Sequence, residues 1–495
     1  MMLEQIYETS LGLLTDLYQV SMAYAYWKSG THEKESVFNL FFRQIPFHNG
    51  YAIAGGLETA LEFIERFKID SSDVEYLSTL KGSDNRPLFD ADFLDYLSKL
   101  KLKIDVSAIP EGRVVFAHEP LLRVQGPILQ CQLIETALLN IVNFQTLIAT
   151  KAARVKEAAG SDSLLEFGLR RAQGIDGALM GTRAAFVGGC DATSNVLAGK
   201  LYGIPVRGTH AHSWVMSFET EREAFMEFAK AMPGNSTLLV DTYNTLKGVK
   251  TAIEAGKWLV KNGHPFNGIR LDSGDLAFLS IEARKLLDAA GFEKAQIVAS
   301  NDLDENLIED LKRQGARINV WGVGTKLITG YDQPALGGVY KLAATREPGK
   351  KWTQKIKLSE QAVKTTIPGL QQIRRFAHEE GLIGDMIYDA ENPPQGDSDI
   401  VDPLDPSRRK IIPKNTAYED LLLPVIEKGK RIRASESLTE IRKKSLEERL
   451  KLHPGVRRFK NPHNYPVGLE KSLYEKKTRM ILEHRGHTPL KGTHE

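Results

Sequence analysis

Between residues 163 and 343, short apolar runs alternate with amphipathic stretches of helical length. The runs are LLEFG, PVRGTHAH, STLLVD, FNGIRLD, AQIVAS, RINVWG and GGVYKLA. Runs this short suit buried strands, and the stretches between them can hold crossover helices, so the pattern predicts an α/β fold with a parallel sheet. Three runs end in, or within two residues of, an acidic side chain: Asp241, Asp272 and Asp302. These lie 31 and 30 residues apart, the length of one strand plus one crossover helix. Seven such units favour a barrel over an open sheet. No residue-by-residue repeat accompanies the period, which therefore belongs to the fold and not to a solenoid.

The flanking regions read differently. Thr15 to Gly30 has the pattern of a helix, with Thr15 as N-cap, apolar Leu17, Val20, Met22 and Tyr24, and a glycine stop. Ser36 to Phe47 is rich in aromatic and β-branched residues and predicts a strand, and Pro110 to Pro127 predicts two short ones. Gln132 to Gly160 predicts a long helix, with Ile134, Leu138, Ile141 and Ile148 on one face and basic residues near its C-terminus. Beyond residue 345 the chain turns polar. Pro393 to Pro406 reads as a surface loop or linker. The Lys- and Arg-dense region after 427 interleaves Glu at helical spacing, which fits solvated helix faces better than a nucleic-acid patch. The expected organisation is an N-terminal α/β domain over 1–160, a barrel over 161–345, and a C-terminal region over 346–495 that packs partly with the N-terminal domain.

Composition narrows the class. With 42% hydrophobic and 26% charged residues, the 495-residue chain is globular rather than disordered. Its 65 basic and 63 acidic side chains leave a charge of +2, which disfavours a nucleic-acid coat. Two cysteines, Cys131 and Cys190, cannot make a disulfide framework or a four-cysteine zinc site, and they read as buried small hydrophobes. Glu4 and Glu8 stand where an export signal wants positive charge, and no eighteen apolar residues run together. A cytoplasmic protein without a membrane span is expected.

Chemistry gathers at the predicted strand ends, where parallel barrels build their active sites. In GIRLDSGD, Arg270 and Asp272 share one face of a strand as cation and anion, either functional or a structural ion pair. Gly274 frees the backbone to approach a ligand. In VWGVGTKL, Gly322, Gly324 and Thr325 follow a strand and could cradle a phosphate or form a tight turn. Leu327 occupies the last glycine of a dinucleotide fingerprint, and no Walker A loop occurs. In VRGTHAHSWV, His210 and His212 follow a glycine among small residues. That favours an exposed reactive turn over a packed interior or a metal site, with His212 a nucleophile or proton carrier. In EFGLRR, Arg170 and Arg171 could clamp an anion or stand as a surface pair.

Taken together and in this order, LLTDLYQVSMAYAYW, EFGLRRAQG, GTHAHSWV, LVDTYNT, IRLDSGDL, WGVGTKL, LGGVYKL and NPHNYPVGL resemble the nicotinate phosphoribosyltransferases. The resemblance runs from about Leu13 to about Leu469. It implies a type II phosphoribosyltransferase fold: an irregular, seven-stranded α/β barrel with an N-terminal α/β domain. It also implies a homodimer with sites at the interface. The implied reaction joins nicotinate to the ribose of 5-phosphoribosyl 1-pyrophosphate, coupled to hydrolysis of ATP as co-substrate, and uses Mg2+ or Mn2+. This is the first step of NAD salvage from nicotinate. By the same resemblance, His212 is transiently phosphorylated, and Asp241 supports the phosphohistidine or the metal. Tyr18, Thr209 and Arg270 line the nicotinate pocket, Tyr18 reaching across the dimer. Phe167 stacks on the pyridine, Arg170 faces anionic ligands, and Asp272 lies by the ribose. Gly322, Gly324 and Thr325 hold the 5-phosphate. Nicotinamide-using relatives carry an aspartate where this chain aligns Ser194, with Asp191 as a nearby alternative. Serine tolerates a carboxylate that aspartate repels. A nicotinamide-preferring transferase and a non-enzymatic binding member are the rival readings.

Overall fold

The computed structural model describes residues 9–486, so Glu4 and Glu8 lie outside the described residues. The chain divides into two compact units. One comprises 147–334 with 438–446. The other comprises the described residues up to 146, then 335–437, and those from 447 onward.

The first unit is built on a parallel sheet of β1 (Ser163–Glu166), β2 (Ala192–Thr193), β3 (Thr237–Leu239), β4 (Gly268–Leu271), β5 (Gln296–Ala299) and β6 (Val320–Val323). The strand order is β2-β1-β6-β5-β4-β3. Crossover helices Thr245–Lys261, Leu276–Ala289 and Glu305–Arg313 follow β3, β4 and β5, and account for the 30-residue period. Leu239 pairs with Arg270 and Arg270 with Val298, so strand ends one period apart lie side by side. Most side chains along β3 to β6 are buried, as expected where both faces of a parallel sheet are covered.

Two of the seven predicted strands are corrected. PVRGTHAH makes only one bridge, Val206 to Thr193, because Pro205 lacks a donor and the polar residues that follow leave the ladder. This segment nevertheless touches both outer strands. Beside β2, the Thr193 N–H donates to the Pro205 carbonyl (3.0 Å) and the Arg207 N–H to the Thr193 carbonyl (2.9 Å). Beside β3, the Leu239 N–H donates to His210 Nε2 (3.2 Å), a side chain standing in for backbone. His210 is 7% exposed and packs against Phe225 and Phe228, so the exposed turn expected for both histidines holds only for His212.

Burial first, then the charges of Arg270 and His212, hold the His210 pKa down at about 4. The folded state needs the neutral ring, because Nε2 must accept. The unfolded chain therefore binds more protons between about pH 4 and pH 6.5, and stability is lost as pH falls through that window. The loss is at most about 3 kcal/mol by linkage. His210→Gln can accept the same bond without titrating. Between pH 6.5 and 4 the wild-type thermal midpoint should fall more steeply than that of the variant; parallel curves would remove His210 from this role.

The other unit holds an antiparallel sheet ordered Thr353–Gln354, Gly338–Arg346, Glu35–Phe42, Leu122–Pro127, Asp105–Ala108, Leu423–Glu427 and Lys430–Arg431. GGVYKLA, the second corrected strand, lies here and pairs antiparallel with Glu35–Phe42. Apolar runs alone do not say which sheet they join. The expected strand from Ser36 stops at Phe42, and Pro46–His48 forms a 3-10 turn. The first helix spans Leu17–Lys28 with Asp16 at the N-cap; Thr15 Oγ1 instead donates to the Leu133 carbonyl (3.2 Å). The two short strands are Val114–Val115 and Leu122–Pro127, and the long helix is split into Ile128–Leu133 and Glu135–Ala159.

A second sheet in this unit contains Ser398–Val401, within the stretch expected to be loop. Ile400 and Val401 are buried there, and the strand pairs with Arg409–Ile412 and Val467–Glu470. Nor are all the charges after 427 solvated. Glu448 is buried and binds Arg375 Nη1 (2.6 Å) and Arg113 Nε (2.6 Å), and Arg375 also pairs with buried Asp385 (2.5 Å). Both cysteines are buried, and burial pushes the Cys131 thiol up to about 12. Among the described residues, no helix is long and apolar enough to cross a membrane.

Candidate active site at the parallel strand ends

A cavity of about 460 Å³ opens at the C-terminal ends of the parallel strands. Nine predicted site residues line it: Phe167, Arg170, Ser194, Thr209, Arg270, Asp272, Gly322, Gly324 and Thr325. Arg171, Leu169, Gly208, Ser300, Asn301 and Asp302 complete the wall.

Arg270 organises the centre. It projects from β4 and donates from Nε to Ser300 Oγ (2.8 Å), from Nη1 to Thr209 Oγ1 (3.1 Å) and from Nη2 to Asp272 Oδ1 (2.7 Å). Its guanidinium lies 5.7 Å from the centre of the Phe167 ring. Asp272 also accepts from Ser300 Oγ. Burial works against the Asp272 charge, but the Ser300 hydrogen bond and the charge and bonds of Arg270 outweigh it and hold this carboxyl below its usual range. It is therefore an anion at neutral pH, fixed beside a cation.

A second group stands next to the cavity. Asp241 follows β3, and its Oδ2 accepts from the Asp272 N–H (2.8 Å) and Ser273 Oγ (2.6 Å). Its Oδ1 is buried without a hydrogen-bond partner. His212 begins the short helix His212–Met216. Its Nδ1 lies 3.1 Å from Thr242 Oγ1, and its Nε2 lies 3.8 Å from Asp272 Oδ2. Glu221 comes close enough to Asp241 to be affected by it: burial, then that neighbouring charge, lift its pKa to about 7. Among the described residues, no group of three or more His, Cys, Asp or Glu side chains could hold a metal.

Two glycines have steric reasons. A methyl at Gly322 would lie 2.7 Å from the Phe167 ring, so glycine lets that aromatic pack closely against β6. Gly274 has φ +80°, the left-handed turn between β4 and its helix.

Ser194, not Asp191, faces the cavity. Asp191 is occupied by Lys156 (3.2 Å), Arg442 and the Leu164 N–H (2.8 Å). Tyr18 lies in the other unit, 51% exposed on the helix Leu17–Lys28. Sequence reasoning passed over Ser300, Asn301, Thr242, Glu221 and Glu166. Ser300 had a signal, since it ends the run AQIVAS; Glu166 was hidden inside an apolar strand.

Three family models match in succession. The nicotinate phosphoribosyltransferase N-terminal domain covers 13–143, the nicotinate phosphoribosyltransferase family model covers 163–366, and the C-terminal domain of the same family covers 370–477. The chain belongs to the nicotinate phosphoribosyltransferase family. Relatives in that family include the nicotinate phosphoribosyltransferase of Bacillus subtilis, 46% identical over 96% of each chain. The Homo sapiens nicotinate phosphoribosyltransferase is 35% identical over 93% of this chain and 95% of that protein. The crystal structure of human nicotinic acid phosphoribosyltransferase superposes with a TM-score of 0.81 at 34% identity, covering 94% of this chain and 99% of that one. A nicotinate-nucleotide pyrophosphorylase from Pyrococcus furiosus, at 23% identity and a TM-score of 0.68, shares the fold.

Proposed function

We propose that this member of the nicotinate phosphoribosyltransferase family joins nicotinate to 5-phosphoribosyl 1-pyrophosphate. The reaction is coupled to ATP hydrolysis through a transient phosphohistidine at His212. The observation that carries this reading is the Arg270 cluster: one guanidinium ties Thr209, Ser300 and Asp272 together over Phe167, in a cavity that also holds the Gly322–Thr325 turn.

In this reading the pyridine lies on Phe167, and Arg270 with Thr209 faces its carboxylate. Ser194 adds no charge to repel that group. The 5-phosphate rests on Gly322, Gly324 and Thr325, and Arg170 and Arg171 face the remaining anionic oxygens. The pyridine nitrogen forms a bond to C1 of the ribose while the C1–oxygen bond to pyrophosphate breaks, and the leaving group departs with the bonding electrons. Positive charge builds on the ribose, and the fixed Asp272 carboxylate stabilises it. The nitrogen lone pair is already free, so positioning rather than a base drives the step. ATP transfers a phosphoryl group to His212, water later removes it, and Thr242 orients the ring.

The residues present suit Mg2+: Asp241 Oδ1 is buried without a partner, and a hard cation binds through one or two carboxylates plus substrate phosphates. Asp241 and Asp272 would hold it, and the ion would neutralise phosphate charge. We read the parallel sheet, with Pro205–His210 touching both outer strands, as an irregular barrel. Tyr18, exposed in its own unit, is the residue this reading gives to the site of a second copy in a homodimer.

The test offers nicotinate and nicotinamide separately, with 5-phosphoribosyl 1-pyrophosphate, Mg2+ and ATP, and quantifies the mononucleotides by chromatography. Nicotinate mononucleotide should dominate, with ADP formed alongside. Nicotinamide mononucleotide as the main product would sink the reading in favour of the related amide transferase, and no product would favour a binding role.

A further inference from the structure

Beneath the cavity lies a carboxylate that the reaction above does not use. Glu166 ends β1, is 0% exposed, and sits directly before Phe167 in the chain. Its Oε1 accepts from the Gly168 N–H. Its Oε2 accepts from Thr182 Oγ1 (2.9 Å) and Thr193 Oγ1 (2.6 Å). The direction of these bonds is fixed from the far side. Asn195 Nδ2 donates to Thr182 Oγ1 (3.3 Å) and the Asn195 N–H donates to Thr193 Oγ1 (2.9 Å), so both hydroxyl hydrogens remain for Glu166. The main chain repeats the link, as the Ser194 N–H donates to the Glu166 carbonyl (3.0 Å).

We propose that Glu166 is a positioning residue that sets the width of the pyridine slot by tying the Phe167–Gly168 turn to the Thr193–Asn195 segment carrying Ser194. Through Gly168 the carboxylate holds the turn that presents Phe167, and through Thr193 it holds the facing segment. Three neutral donors converge on two oxygens, so the site requires a group that only accepts. Glutamine has nearly the same shape but carries an NH2, which must face either the Gly168 N–H or the two hydroxyls. Facing Gly168 the NH2 meets one donor and facing the hydroxyls it meets two, so in either orientation at least one buried donor loses its partner. The carboxylate touches neither ribose nor phosphate groups in the proposed arrangement, so its effect should be confined to the ring. Burial pushes its pKa up against the three hydrogen bonds that favour the charged form, as expected for an anion enclosed by dipoles without a cation.

This inference rests on the proposed function. The test measures KM for nicotinate, KM for 5-phosphoribosyl 1-pyrophosphate, kcat and the thermal midpoint in wild type, Glu166→Gln, Thr193→Val and the double variant. Glu166→Gln should raise the nicotinate KM about tenfold, with the other substrate's KM and kcat within about twofold, as one lost buried hydrogen bond allows. Thr193→Val should shift the same constant in the same direction. The double variant should be no worse than Glu166→Gln, because both changes break one network. An unchanged nicotinate KM, or both KM values rising together, would overturn the positioning role. Should Glu166→Gln fail to fold, the KM split in Thr193→Val decides. Nicotinamide is run beside nicotinate, and the split is read on the pyridine that wild type converts. Conversion of neither overturns both readings, whereas an active wild type with unsplit constants overturns only this one.

Discussion

Exchanging Asp272 for asparagine is expected to lower kcat by about a thousandfold, with the KM of both substrates changed only a few-fold. Asparagine keeps an oxygen to accept from Arg270 Nη2 and Ser300 Oγ, so the guanidinium stays where Thr209 and Phe167 need it. What disappears is the negative charge, and that charge matters most when the ribose becomes cationic. A loss expressed in kcat rather than in binding is the signature of an interaction made chiefly in the transition state. Steady-state kinetics over both substrates decide it. A kcat within threefold of wild type would show that the carboxylate only braces Arg270.

The second large effect concerns the coupling. His212→Ala should abolish both phosphoprotein formation from γ-labelled ATP and the ATP hydrolysis that accompanies turnover. A slow, ATP-independent formation of nicotinate mononucleotide should remain, because the Arg270 cluster does not depend on the His212 ring. The ring is part-exposed and poised 3.8 Å from Asp272 Oδ2, with Thr242 at its other nitrogen. His210, two residues earlier, is buried and engaged with Leu239, so it offers no replacement acceptor. Label persisting in the variant at wild-type stoichiometry would assign the phosphoryl group elsewhere.

The residues that were legible in advance are those with a period or a chemical contrast. Asp241 and Asp272 emerged because a crossover helix fixes the distance between neighbouring strand ends. Arg270 emerged because a charge two residues from another on an apolar strand must share its face. Asp302 shows where this logic drifts. Continuing the register from Arg270 and Val298, the residue level with Asp272 is Ser300, and it is Ser300 that shares the Arg270 cluster. Asp302 stands two residues farther on, beyond Asn301, both with positive φ, and reaches the cavity from a turn. GGVYKLA was legible as a strand but not as a partner of Glu35–Phe42, since partner choice depends on long-range register that one chain's pattern does not carry. Glu166 was invisible for another reason. A buried carboxylate satisfied by backbone and hydroxyl donors leaves no charged partner to find in the sequence, and its neighbours Thr182 and Thr193 look like ordinary core-edge threonines.

The link between Leu239 and His210 has a mechanical consequence. Along the six strands, stiffness comes from backbone ladders, which resist shear because many bonds must lengthen together. At Pro205–His210, resistance on the β3 side comes instead from an imidazole, which can tilt about its own torsions while the strands stay still. Thr209 sits beside that bond and His212 just after it, so the group that touches Arg270 and the group proposed to carry phosphate share a stretch that is joined to β3 by a side chain rather than a ladder. The side-chain link thus falls beside the residue proposed to carry phosphate, whereas Arg270, Asp272 and Ser300 stand on or just past the laddered strands β4 and β5.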